Sequence, residues 1–174
     1  GAPVTVMVNN NGVASFSGGT IYGNFTLYNA QSVVLDTTLV YDAATSAVQI
    51  SGSSDFVLGE RGVIQVSNAS ARGITLSGGS ATVYGDIRFQ PDSPYSSSSA
   101  AGVSVSGGKF VLYGNIGSSA NRFGTGINLS GGNAFLFAEG GNTPSIYALS
   151  TGISASGNST VYMYEETVDI TKLK

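Results

Sequence analysis

Apolar residues in this chain recur with a spacing of two, in short stretches that end in serine or glycine. The clearest stretch is Gly73-Ile74-Thr75-Leu76-Ser77-Gly78-Gly79-Ser80-Ala81-Thr82-Val83-Tyr84-Gly85. Alternation of this kind, as in Ile74/Leu76 and Val103/Val105, is that of a β-strand with one face turned inward. The same pattern returns along the chain. Gly102 to Gly108 leads into Lys109-Phe110-Val111-Leu112-Tyr113-Gly114, and Gly126 to Gly132 leads into Asn133-Ala134-Phe135-Leu136-Phe137. Looser copies begin at Ala47 and Gly152, and a degenerate one spans Val13 to Gly23. Each unit reads as one strand before the glycine pair, a second after it, and a fainter third. Candidates for the third are Phe25-Thr26-Leu27-Tyr28, Val63-Ile64-Gln65-Val66, Ile87-Arg88-Phe89 and Ser145-Ile146-Tyr147-Ala148. The abundance of Gly, Ser, Thr and β-branched residues within the units excludes helical repeats.

The serine closing each first strand falls at Ser17, Ser51, Ser77, Ser106, Ser130 and Ser156, with intervals of 34, 26, 29, 24 and 26 residues. Such a period marks a stacked architecture, in which no unit buries its apolar face alone. Three short strands and three bends per unit predict an all-β, right-handed parallel β-helix of about six coils, rising about 4.8 Å per coil. The glycines supply the bends, because glycine reaches positive φ without steric cost. They could instead cradle phosphate, but no helix or Lys-Ser/Thr follows them. The serine column reads as structural, since the chain has no histidine to activate a hydroxyl.

Length and composition narrow the function. The 174 residues suit a single solenoid domain, with 1–12 as an N-terminal strand or cap, 13–164 as coils and 165–174 as a C-terminal cap or linker. Only 10% of residues are charged while 41% are apolar, which favours a packed β protein over disorder. A net charge of -3 without a basic patch argues against nucleic acid. The lack of both cysteine and histidine excludes disulfides, thiolate metal sites, zinc enzymes and Ser-His-Asp hydrolases. No membrane span is visible, so the chain is not expected to be membrane-embedded.

Along the chain, residues 1–35 carry no charged side chain, and such a first coil calls for a cap or partner over its strand edges. The long first interval predicts an extra strand or enlarged coil around Val33-Val34-Leu35 and Leu39-Val40-Tyr41, bracketed by Asp36 and Asp42 as polar turn residues. Segments of variable length precede each later unit and are expected to project from one corner, often the binding face. The longest holds Asp92 and Tyr95; the next holds Asn121, Arg122 and Phe123. An aromatic face with polar neighbours is a sugar-binding combination, so these five are the candidate binding residues, against the alternative of a solvated loop. Counting nine residues from the repeat serines reaches Glu60, Asp86, Asn115, Glu139 and Glu165, read as an exposed polar turn column beside Arg61 and Arg88. No cofactor is implied; a calcium ion between those carboxylates is the alternative. Four Asn-x-Ser/Thr sequons, at Asn24, Asn68, Asn128 and Asn158, match what this composition produces by chance.

The recurring Gly-φ-x-φ-Ser-Gly-Gly-x-φ-x-φ-Tyr-Gly unit, where φ is apolar, resembles the coils of right-handed β-helix surface proteins, especially autotransporter passenger domains of the pertactin type. The resemblance covers Gly12 to Tyr164 and carries over no functional residue. It implies an exported rod at the bacterial surface or outside the cell, a monomer or a fragment of a longer chain, meeting a host surface protein or glycan. The leading expectation is a non-enzymatic, adhesin-like or structural module. A polysaccharide lyase or hydrolase on the same scaffold is the alternative, for which Glu60, Arg61, Asp86 and Arg88 form the only dense catalytic set. A trimeric phage tailspike or fibre appendage is the third reading.

Overall fold

The computed structural model describes residues 2–91, 99–139 and 142–165. These residues form a parallel β-solenoid, with no helix among them and a coil number close to the sequence expectation. Three stacks of strands run up its length. The first contains β1 (Val4–Asn9), the last part of β2 (Val13–Tyr28), β4 (Ser46–Ser51), β7 (Arg72–Leu76), β10 (Ala101–Val105), β13 (Phe123–Leu129) and β16 (Ala148–Ala155). The second contains the start of β2, the start of β3 (Ser32–Tyr41), β5 (Asp55–Leu58), β8 (Ser80–Val83), β11 (Lys109–Leu112), β14 (Gly132–Ala138) and β17 (Ser159–Glu165). The third is built from the middle of β2, the end of β3, β6 (Val63–Val66), β9 (Asp86–Phe89), β12 (Asn115–Ile116) and β15 (Ser145–Ile146). All of these pairings are parallel. None of the described residues forms a helix long and apolar enough to cross a membrane.

Alternation along the strands fills the interior. In β8, Ala81 and Val83 are buried while Ser80 and Thr82 face outward. Inward residues stack into columns, and one of them, Phe56-Ala81-Phe110-Ala134, alternates large with small so that successive coils interdigitate. The third stack contributes Leu39, Ile64, Ile87 and Ile116, each fully buried.

Two glycine columns make the coils possible. Gly79, Gly108 and Gly132 turn the corner from first to second strand with φ of 77°, 82° and 72°. A Cβ on Gly108 would also approach the Gly79 carbonyl oxygen to 2.5 Å. The second column, Gly73, Gly102 and Gly126, has no positive φ. There the missing side chain admits the third-strand isoleucine of the same coil: a Cβ on Gly102 would lie 2.4 Å from Ile116 Cγ2 and 2.8 Å from the Gly126 carbonyl oxygen.

The pairing corrects the register read from the sequence at one end. Ser51, Ser77, Ser106, Ser130 and Ser156 do share a column, since each follows residues paired in the first stack. Ser17 does not belong to it. Ser17 lies in the second stack opposite Asp36, and the residue paired with Ser51 is Tyr28. The stretch Phe25 to Tyr28, expected as a third strand, is therefore a first strand. Residues 32–41 form the second and third strands of an ordinary coil rather than an insertion. The serine hydroxyls do not bond to one another. Those of Ser51, Ser77 and Ser156 donate to the carbonyls of Leu27, Ile50 and Leu129 in the neighbouring coil, at 3.2, 3.4 and 3.3 Å.

Candidate functional site

The described parts of the segments around 67–71, 90–100 and 117–122 share one corner, between third and first strands, whereas Leu149 to Thr151 belong to β16. Ser99 N donates to the Ala69 carbonyl at 3.1 Å and Gly124 N to that of Ala100 at 2.9 Å, so neighbouring segments stack. Asp92 and Tyr95 lie outside the described residues. Asn121 and Arg122 are at this corner in a closed turn. Ser118 N donates to the Asn121 carbonyl and Asn121 N to Ser118 Oγ, both at 3.0 Å. Arg122 lies over the Tyr147 ring at 5.7 Å, and its Nε donates to the Ser119 carbonyl at 3.4 Å. Phe123 requires a correction. It opens β13 rather than ending a loop, is fully buried, and packs against Phe89 with ring centroids 5.5 Å apart. It offers no face to a ligand at the surface.

The most developed surface feature is at a different corner, between second and third strands. Strand alternation turns Tyr84, Tyr113, Phe137 and Tyr164 outward at one register position, and their rings form a ladder. Centroid distances are 4.7, 5.2 and 4.9 Å and interplanar angles 9°, 16° and 13°. Phe135 and Tyr162 form a parallel pair at 4.7 Å, with Lys109 Nζ 5.1 Å from the Phe135 centroid. Parallel strands impose close to the spacing at which aromatic faces meet, so the ladder follows from repeating an aromatic residue at one outward position.

A groove of about 640 Å³ runs beside this ladder, lined by Tyr84, Tyr113, Glu60, Asp86, Asn115, Glu139, Asn142 and Thr143. Gly114 also lines it. Asp86 and Asn115 are true neighbours in the third stack. Asn115 Nδ2 donates to Asp86 Oδ1 at 3.0 Å, and Ser145 Oγ donates to Asn115 Oδ1 at 2.6 Å. An amide between coils thus replaces the carboxylate repulsion that a continuous acidic column would carry. The column counted from the serines holds only from Asp86 to Asn115, because the corners differ in length: Asp86 pairs with Val63, Asn115 with Ser145 and Glu165 with Ala138.

The four residues of the enzyme alternative are not assembled as a set. Arg61 is held by Asp36, which accepts from Arg61 N at 2.9 Å and Nε at 3.2 Å and lies 3.1 Å from Nη2. Arg88 bonds Asp86 Oδ2 at 2.8 Å. Glu60 is exposed, and among the described residues no hydrogen bond or salt bridge engages its carboxylate or that of Glu139. Nor do the described residues contain three or more acidic groups placed to hold a metal ion. Tyr113 has a displaced titration: burial lifts its hydroxyl above the usual tyrosine range, and the neighbouring Tyr84 and Glu139 add to this.

The architecture defines a β-solenoid repeat protein. Comparison with known proteins adds no relative: the chain matches no protein-family model, no curated protein and no solved structure.

Proposed function

We propose that this chain is a non-enzymatic binding and display module, borne at the bacterial surface or secreted, as the resemblance of its repeat to pertactin-type passenger coils implies, and that it engages glycan through the side of the rod. The observation that carries this reading is the aromatic ladder with its adjoining polar groove. Aromatic rings beside carboxylates and amides are the surface chemistry suited to polyhydroxylated ligands. These groups sit on or beside paired strands, so binding need not pay for ordering a loop. In the enzyme alternative, Glu60 and Asp86 would act together. Asp86 is already engaged by Arg88 and Asn115, which favours a role in binding.

The test is to immobilise the protein, expose it to a panel of polysaccharides, and read retention and chain length in the same wells. Retention with unchanged chain length is expected. Chain shortening that disappears in Glu60→Gln or Asp86→Asn would overturn the binding reading in favour of the enzyme.

A further inference from the structure

The outer face of the second stack differs in chemistry from the other two. Its central outward column reads Val34-Val57-Thr82-Val111-Phe135-Tyr162, bordered by the aromatic ladder. The matching column of the first stack, Thr26-Gln49-Thr75-Ser104-Asn128-Ser154, is polar throughout, and that of the third, Thr38-Val63-Asp86-Asn115-Ser145, is mostly so. Val34, Val57 and Phe135 are half-buried, Val111 keeps 6% of its surface and Tyr162 is 39% exposed. A continuous apolar stripe of this kind marks a contact surface.

The charges beside the stripe are symmetric about its middle. β8 is the fourth of the seven strands in this stack. Ser80 of β8 pairs with Asp55 one coil below and with Lys109 one coil above. Neither charge joins a salt bridge among the described residues. Asp55 accepts from Ser80 Oγ at 2.9 Å, and Lys109 Nζ lies 5.1 Å from the Phe135 centroid. In the apolar column Val57 and Val111 flank Thr82 in the same way, with Val34 and Phe135 beyond them.

We infer that this face is the interface of a homodimer, in which a second copy lies against it with its long axis reversed, about a two-fold axis running along β8. That operation preserves strand direction, as aligned face-to-face sheets require, and inverts the order of the coils. Asp55 then faces Lys109 of the second copy, and Lys109 faces its Asp55. Val57 meets Val111, Val34 meets Phe135, and Thr82 and Tyr84 each meet their own counterpart. Asp36 comes opposite Phe137 but brings no net charge, because Arg61 is bound to it. Every unlike contact is made twice, the pattern of a closed, isologous pair. A partner of one charge sign would instead set like against like at Asp55 or at Lys109. Seven strands about 4.8 Å apart and roughly 15–20 Å wide would bury on the order of 1,000 Å² in total, so the dimer belongs to the weak, concentration-dependent class.

The test is sedimentation velocity on a dilution series at low salt, with thermal melts confirming that each variant is folded. The wild type is expected to pass from monomer to dimer, and no further, at micromolar to sub-millimolar concentration. Lys109→Glu and Asp55→Lys each set two like-charged pairs across the interface and should weaken the dimer by about ten-fold or more. An equimolar mixture of those two variants should recover it, because every facing pair in the mixed dimer is again of opposite sign. Arg72→Glu, on the first stack, should leave association unchanged. A monomer at every concentration, growth beyond two copies, a dimer indifferent to both reversals, or a mixture no tighter than either variant alone would overturn the interface. So would a loss with Arg72→Glu equal to that with Lys109→Glu.

Discussion

Replacing Gly102 with alanine isolates the contact that lets neighbouring coils and strands approach one another. The backbone there is not in the left-handed region, so any cost comes from space alone. The added Cβ would stand 2.4 Å from Ile116 Cγ2 and 2.8 Å from the Gly126 carbonyl oxygen, and both must yield to restore ordinary contact. Overpacking of this kind costs about 1–3 kcal/mol, against which stiffening of the unfolded chain returns about 0.4–1 kcal/mol. Gly152 is the control, because it continues the same column and a Cβ there meets nothing within 4 Å. The unfolded-chain term is common to both variants, so Gly102→Ala should be the less stable by about 1–3 kcal/mol. Urea denaturation followed by circular dichroism measures this, and a melt should separate the two by about 2–4 °C for each kcal/mol. Combining Ile116→Ala with Gly102→Ala should cost less than the sum of the two single losses, since it removes the nearer of the two clashing groups. Equal stability of the two glycine variants, or a double variant that loses both effects additively, would refute the argument that glycine is there to admit the isoleucine.

Other expectations follow from the packing and the ladder. Phe123→Ala should lower stability by about 3–5 kcal/mol, the cost of emptying a buried aromatic site, and should alter glycan binding only as far as it unfolds the protein; denaturant titration checks the first part. Tyr113→Ala removes stacking on both Tyr84 and Phe137 and should cost about 1–3 kcal/mol by the same assay. The raised titration of Tyr113 fixes a sign for alkaline stability. The unfolded chain releases that proton first, so the contribution is complete below about pH 10 and is lost as pH rises through the higher folded value. Tyr113→Phe should therefore lessen the alkaline decline in denaturation midpoint. Arg61→Ala should cost less than about 1 kcal/mol, because the Arg61 side chain of the pair with Asp36 is 83% exposed.

The strands were legible because a period of two and a glycine at each bend are local properties. Ile74 and Leu76, or Val103 and Val105, can be placed inward without knowing their neighbours. Register is a property of pairing, and there local similarity misleads. Ser17-Gly18-Gly19 imitates Ser77-Gly78-Gly79, yet it is a bend in the second stack, while Tyr28 occupies the place of the serine with no likeness to it. The carboxylate column failed for a related reason, since a fixed count cannot follow corners that gain or lose residues. Phe123 reads as a loop residue because β13 starts earlier than β10, whose first residue pairs with Thr125, and its pairing with β16 is irregular between Phe123 and Thr125. The ladder left a signal that went unused: Tyr84, Tyr113 and Phe137 each end an alternating run on the outward phase.

The most direct test of the binding account is a chemical-shift map of isotopically labelled protein titrated with a neutral hexose oligosaccharide. The account predicts changes centred on Glu60, Tyr84, Asp86, Tyr113, Asn115, Glu139, Asn142 and Thr143, the ladder edge and its groove. Changes centred instead on residues 117–122, or scattered without a saturable pattern, would contradict it.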